Sequence, residues 1–368
     1  TFILTSLAFG LSHCLAYDLT SISAVAPMDK TLDFDCTDVY NTVAEQRAKR
    51  TLSDDIVIVS IDGCSREGIT EALDYVDYLN PAAIGLDVFF NYPAATDPEL
   101  ITSLTQCPNL VFPVGLQMIN GHASIFGSYF YDDISIEHKG VVNLSANSVR
   151  NVIRDFEPEY IVGNDTIRSF SAELARVAAP EKFEALMARG RSKETINYPS
   201  WEFEIIPAEA LSNGDIPLEE VRQSIEGKVV LIGNIFDQSD FHLTPIDEGM
   251  AGLLIHARAL QTILDSCYIE ETSEAISWVM AIALSFIFIL LVLVIKKRCA
   301  FEGCFVRFLQ LALMYAFLVL GCNVFAHRGD YLNFAPTLLM LGLGMLAMDI
   351  WLGLLKAVKI HIHKNRKR

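Results

Sequence analysis

Ile56-Val57-Ile58-Val59-Ser60-Ile61-Asp62-Gly63 is a short β-branched apolar run that stops at a turn signal. A run with no polar alternation leaves no face for water, so it reads as a strand buried on both sides, as in a parallel sheet. Arg66 to Leu79 follows as a helix, with Ile69, Leu73, Val76 and Leu79 at three- and four-residue spacing and a stop at Asn80-Pro81. Ala82 to Phe90 (AAIGLDVFF) supplies a second strand. Strand, helix and strand make a βαβ unit, whose crossover is right-handed.

The same alternation continues on the C-terminal side. A helix is expected around Pro98 to Gln106 with Asp97 as its N-cap, then a strand at Leu110 to Leu116. Residues 118 to 165 mix short strands and turns. Ile167 to Arg189 reads as one longer amphipathic helix and Thr195 to Tyr198 as an edge strand ahead of Pro199. Val229 to Gly233 is another core strand, and Met250 to Leu264 a helix with Leu253, Leu254, Ala257, Leu260 and Leu264 on its apolar side. His256 lies one residue off that stripe and is expected at its boundary. Ala26 to Ser53 is the least regular stretch. The expectation is a single α/β domain with a mostly parallel sheet over residues 18–274.

The C-terminal third has a different character. Ala275 to Ile295 is 21 residues without a formal charge, Phe308 to Ala326 is 19, and Leu332 to Leu355 is 24 interrupted only by Asp349. Each is long enough to cross a hydrocarbon core, which takes about 20 apolar residues in a helix. Residues 1–17 form a fourth apolar run that opens on Thr1 with no basic residue ahead of it, and it reads as a signal anchor whose first residues are missing. The expectation is therefore one N-terminal and three C-terminal spans (275–295, 308–326 and 332–355) ahead of a basic tail, 356–368.

Lys296, Lys297, Arg298 and Arg307 lie between the first two C-terminal spans, and Lys356, Lys359, Lys364, Arg366, Lys367 and Arg368 follow the last. Basic residues beside spans stay cytoplasmic, so residues 18–274 are expected outside, periplasmic or extracellular, in a multi-pass protein of a cell inner membrane. From Lys296 onward there are 11 basic and 3 acidic residues, so the chain's net −17 leaves −25 for residues 1–295. So acidic a surface repels polyanions and excludes nucleic acid as a partner outside. The four outer cysteines, Cys36, Cys64, Cys107 and Cys267, have wide, irregular spacing and are expected as buried free thiols.

Ligands of open parallel sheets bind in the crevice beyond the carboxyl ends of the strands. Asp62 in the SIDG turn, Asp87 in GLDVFF and Asp240 after VVLIGN stand at or near such ends, with Asp237 and His242 close by in sequence. They are the candidate ligand-binding residues. Strand-end carboxylates also cap helices and satisfy loop amides, and that reading stands beside the first. Gly233 to Gln238 has neither a G-x-G-x-x-G nor a phosphate-loop Lys-Ser/Thr, and the chain has no G-x-S-x-G or H-E-x-x-H. No catalytic residue, metal site or cofactor is expected, and no enzymatic activity. Within the spans, Asp349 costs about 2.5 to 3.5 kcal/mol to bury unless paired. Arg307 on the neighbouring span is its expected partner, with a relay role as the other reading.

DDIVIVSIDG, AAIGLDVFF, EGKVVLIGN and DFHLTPIDEGMAGLLIHARALQTIL, followed by three apolar runs, together resemble the type 2 CHASE domain. The resemblance is most specific from Lys228 to Leu264, where a strand ending in glycine, an Asp-x-His-x-Thr-Pro turn and a G-x-x-I-H-A-x-A-x-Q helix follow in family order. It implies an extracellular sensor joined through three spans to a cytoplasmic kinase or cyclase. The chain departs from that pattern at Cys64-Ser65-Arg66-Glu67, where a Trp-Pro-Arg segment is usual, and only 13 residues follow Leu355. The expected function is a sensory module that relays binding of a small ligand or a protein to a separate cytoplasmic effector. The alternative is a docking subunit of an envelope complex.

Overall fold

The computed structural model describes residues 2–13, 36–47, 50–119, 121–144, 151–199, 201–296 and 302–366. The chain divides into two units, one of residues 45–269 and one of residues 1–44 with 270–368. Helices α1 (Phe2–His13) and α2 (Cys36–Arg47) belong to the second and are taken up with it.

The 45–269 unit is built on β1 (Thr51–Ser60), α3 (Arg66–Tyr78), β2 (Ala83–Asp87), α4 (Asp97–Gln106) and β3 (Leu110–Ile119). β4 (His122–Phe126) turns back antiparallel on the far half of β3, and β5 (His138–Val141) runs parallel to its middle. Three short strands, β6 (Asp155–Phe156), β7 (Glu159–Val162) and β8 (Asp165–Arg168), lead to α5 (Phe170–Ala178) and α6 (Pro180–Ala188). β9 (Glu194–Thr195), β10 (Trp201–Pro207), α7 (Ala208–Ser212), α8 (Leu218–Ile225) and β11 (Val229–Gly233) follow. The unit ends with β12 (Phe241–His242), β13 (Met250–Ala251) and α9 (Gly252–Leu264).

The sheet runs β10-β1-β11-β2-β3, parallel throughout, with β4 beyond β3. Because side chains alternate along a strand, β1 divides its apolar residues between two cores. Val57 and Val59 join Leu73 and Val76 of α3, Leu100 of α4, Leu211 of α7 and Ile225 of α8. Ile56 and Ile58 join Phe170 and Leu174 of α5, Leu186 of α6, and Leu253, Ile255 and Leu260 of α9. The unit is thus a three-layer α/β/α sandwich, and the apolar strands are the runs that both layers cover. Two glycines bring α5 close. A Cβ at Gly85 would stand 2.8 Å from Phe170 Cζ, and one at Gly140 would stand 2.6 Å from Phe170 Cα.

Several expectations are corrected. The long helix over 167–189 is three elements, because Ala179, which precedes Pro180, sits at φ −146°, ψ 73° and breaks the ladder between α5 and α6. Thr195–Tyr198 is not an edge strand of the main sheet: β9 pairs only with β6, and the edge is β10, which takes β1 as its partner. Thr96, not Asp97, occupies the N-cap of α4. The stretch 26–53 contains α2 and the start of β1, while residues 14–35 lie outside the description. Cys64, Cys107 and Cys267 carry free thiols, and the Cys36 side chain is not described.

The second unit contains α1, α2, β14 (Glu270–Glu271), α10 (Glu274–Lys296), α11 (Glu302–Arg328), β15 (Asp330–Tyr331) and α12 (Ala335–Arg366). Among the described residues two helices, Glu274–Ile295 and Cys304–Arg328, are long and apolar enough to cross a membrane; Ala335–Trp351 is a shorter apolar stretch. The expectation of four such spans is thereby reduced to two, since α1 has only 12 residues and polar residues flank the apolar part of α12. Leu4 of α1, Phe288, Ile289 and Val292 of α10, Val306 of α11, and Leu341 and Met345 of α12 form one apolar cluster. Tyr40 of α2 is fully buried; its hydroxyl donates to Leu332 O at 3.2 Å and its ring lies 5.9 Å from that of Phe325.

Candidate functional site: a carboxylate crevice at the sheet's carboxyl edge

β1, β11 and β2 end side by side, with Ser60 opposite Gly233 and Gly233 opposite Asp87. Asp62, just past β1, accepts from Ser60 Oγ at 2.6 Å and Ile235 N at 2.9 Å on one oxygen, and from Phe236 N at 3.0 Å on the other. Desolvation disfavours its charge, but these donors together outweigh it and hold the carboxyl below the usual range. Asp62 therefore joins the loop after β1 to the loop after β11, and its oxygens are engaged there.

Asp87 is different. Its side chain, at the end of β2, is half-buried and makes no hydrogen bond among the described residues. Burial pushes its carboxyl up to about 7, and the Asp240 charge adds to the rise while His242 opposes it. Asp240 is set in place by the short antiparallel pair β12-β13, which aligns Phe241 with Ala251 and His242 with Met250. One Asp240 oxygen accepts from Gly252 N at 3.1 Å, and the other lies 3.3 Å from His242 Nε2.

This contact explains how α9 begins. Its N-cap residue is Ala251, which has no side chain to take up an orphan amide, so a carboxylate from twelve residues upstream does so, with the helix dipole favouring its charge. The turn between them is closed by Thr244, whose N–H and Oγ1 both donate to Asp247 O, at 2.8 and 3.0 Å. Asp237 accepts from Ser239 N at 2.9 Å and caps the short 3-10 turn that carries Asp240; the bonds from Ser239 keep its carboxyl low.

His256 is not at a boundary. It is buried on α9, its ring edge-on to Phe170 at 5.3 Å, and Nε2–H donates to Val142 O at 3.2 Å. Burial lowers its pKa to about 4 and keeps the ring neutral. A further cluster escapes the sequence pattern altogether. Asp97 pairs with Arg66 and accepts from Ala94 N and Tyr129 Oη, and Arg66 lies 5.0 Å from the Phe90 ring centroid. Only the Arg66–Asp97 spacing across a helix and a strand could have hinted at it.

The structure thus brings Asp87, Asp240 and His242 together and assigns Asp62 to the loops. In chemical terms, the crevice offers one carboxyl that can hold a proton near neutral pH, one charged carboxylate and one imidazole, which suits a ligand bearing hydrogen-bond donors or positive charge. Among the described residues no group of three or more His, Cys, Asp or Glu is placed to hold a metal ion. In the second unit, Arg307 of α11 and Asp349 of α12 form an ion pair, with Arg307 also 3.4 Å from Gln310 Oε1.

An acidic, doubly wound α/β unit followed in the chain by membrane-type helices defines the class, a membrane-tethered α/β domain. A family model described as the CHASE2 domain matches residues 19–296, and the chain belongs to that family of sensory extracytoplasmic domains. Neither a curated protein nor a solved structure matches the chain.

Proposed function

We propose that this chain is a non-enzymatic sensory module whose ligand site is the crevice of Asp87, Asp240 and His242. The observation that carries the reading is the Asp87 carboxyl, held near neutrality beside a second carboxylate with no described hydrogen-bond partner of its own. The Asp87 side chain is partly exposed at the sheet's carboxyl edge, where a ligand can supply the missing donor. Only Asp265 to Ser273 separate α9 from α10 in the chain, so a shift of α9 when Gly252 N–H or Asp240 changes partner is passed on along the backbone. Binding must favour one of two arrangements for such a relay to work.

In this reading α12 lies in the bilayer as a third C-terminal span, its apolar stretch packed on α10 through Leu341, Met345 and Met348. α1 is the end of an N-terminal anchor. The basic residues 296–298 and 307 and the tail face the cytoplasm of a cell inner membrane, where a separate effector protein receives the signal. The second reading, a docking subunit of an envelope complex, is favoured by exposed apolar side chains near the same edge of the sheet: Tyr92, Met118, Phe126 and Phe236.

Crosslinking the full chain in native membranes, with Asp87→Asn and His242→Ala beside the wild type, separates the two. Contact with a cytoplasmic protein through loop 296–307 or the tail, altered by the crevice variants, supports relay. A stoichiometric outer partner retained by both variants supports docking and overturns the sensory reading.

A further inference from the structure

β3 has ten residues where its neighbour β2 has five. Leu110 to Gly115 are buried and Gln117 to Ile119 are exposed, so β3 and β4 run on past the helix layers as a two-stranded ribbon. Strand alternation places Leu116, Met118, Ala123 and Ile125 on one face of it and Ile119 and Phe126 on the other. Met118, Ile119 and Phe126 are exposed, and the Phe126 ring stacks on Phe89 with centroids 5.4 Å apart. A two-stranded ribbon on its own is marginally stable in water.

Among the described residues β4 pairs with β3 alone. Which of its amides are open follows from Asn143, whose Oδ1 accepts from Leu116 N and whose Nδ2 donates to Leu116 O at 3.1 Å. Leu116 therefore turns its backbone groups away from Ile125, its partner across the ladder, and in an antiparallel pair that partner does the same. Ile125, and Ala123 two residues before it, thus present N–H and C=O outward. The sheet's other edge, β10, is guarded by Glu202 and Glu204 along it and Pro207 at its end. β4 has no such guard, since Leu100 to Tyr131 contains no Asp, Glu, Lys or Arg.

The missing charge selects the partner. Two copies of this domain, from a region with a net −25 over residues 1–295, repel across most of their surfaces, and an uncharged strip is where they meet at least cost. A basic partner is drawn to the carboxylates elsewhere. We infer that β4 pairs antiparallel with β4 of a second copy about a twofold axis. Ala123 of each copy then exchanges both backbone bonds with Ile125 of the other, and Ser124 faces its own counterpart with Cα atoms about 4.5 Å apart. Two copies tethered in one membrane meet at a raised effective concentration, which offsets so small a contact. The pairing stands whether or not the Asp87 crevice binds a ligand.

The test oxidises the full chain mildly in native membranes as Ser124→Cys, with Gln117→Cys on the inner strand as the register control, and reads covalent dimer on a non-reducing gel. Facing thiols at position 124 lie within disulfide reach, and about tenfold more dimer is expected than from Gln117→Cys or the wild type. Two further changes are added to Ser124→Cys. Ile125→Pro removes an outward N–H and leaves the β3 ladder whole, and Ala123→Lys sets two lysines diagonally across the twofold axis. Each is expected to cut the dimer about tenfold at an unchanged melting temperature. Equal crosslinking of Ser124→Cys and Gln117→Cys, a dimer that survives both added changes, or crosslinking of Ser124→Cys to a different protein overturns the proposal.

Discussion

Asp87, raised to about 7, and His256, lowered to about 4, act on stability with opposite signs. A carboxyl raised by folding holds its proton more tightly in the native state, so stability falls as pH climbs from about 4 to about 7. A histidine kept neutral by burial refuses a proton that the unfolded chain accepts, so stability is lost as pH falls from 6.5 towards 4. Over the shared window the two slopes oppose each other. Asp87→Asn should raise the melting temperature relative to wild type by an amount that grows between about pH 4 and 7. His256→Gln should show a relative gain that grows as pH drops below about 6.5. Thermal unfolding of the detergent-solubilised full chain across that range checks both, and a pH-independent offset would contradict them. Gly252→Ala probes the same place by sterics. Its Cβ would stand 2.7 Å from Asp240 Oδ2, the free end of a side chain that can swing away. The expected cost is about 1 kcal/mol from the lost amide bond, read as a lowered melting temperature. The positions of Asp62 and Asp87 beside strand ends were legible because apolar runs end visibly, whereas Asp240 lies in a 3-10 turn beyond the end of β11. How each carboxylate is used was not. Asp62 meets the amides of Ile235 and Phe236, and Asp97 meets Tyr129, through contacts whose sequence separation leaves no local pattern.

At the scale of elements, β1, α3, β2 and β11 were readable because continuous apolar runs and a three- and four-residue spacing each admit one partner layer. β10 was not, since the alternating charges of Trp201 to Pro207 mark an edge whose pairing with β1 depends on residues far away in sequence. The α5–α6 break was in principle visible in Pro180, but the amphipathic pattern runs through it. The fit of α5 to the sheet offers a sharp test. A Cβ at Gly140 would meet the backbone of Phe170, which cannot yield as a side-chain tip can. Gly140→Ala should therefore cost about 1 to 3 kcal/mol, seen as a lowered melting temperature, and clearly more than Gly252→Ala. Equal effects of the two would mean that α5 can move away from β5 more freely than its packing on Phe170 suggests.

For the whole molecule, orientation is testable through two thiols, Cys64 beside β1 and the exposed Cys304 near the start of α11. In single-cysteine variants a membrane-impermeant maleimide added to intact cells should label Cys64 and spare Cys304 until the membrane is opened; the reverse would invert the topology. Desolvation, with help from Glu209 and Asp62, raises the Cys64 thiol, so its labelling should quicken as pH is raised. The order of the sheet has a consequence in time. β1 is made early, yet its two neighbours are β10 and β11, from Trp201–Pro207 and Val229–Gly233. At about 5 to 20 residues per second, roughly ten to thirty seconds pass in synthesis before both edges of this apolar strand can be paired. Parallel sheets with such distant partners close late and are exposed to aggregation meanwhile. A holding chaperone that shields residues 51–60 would have its task in that interval, and none once β11 has slotted between β1 and β2.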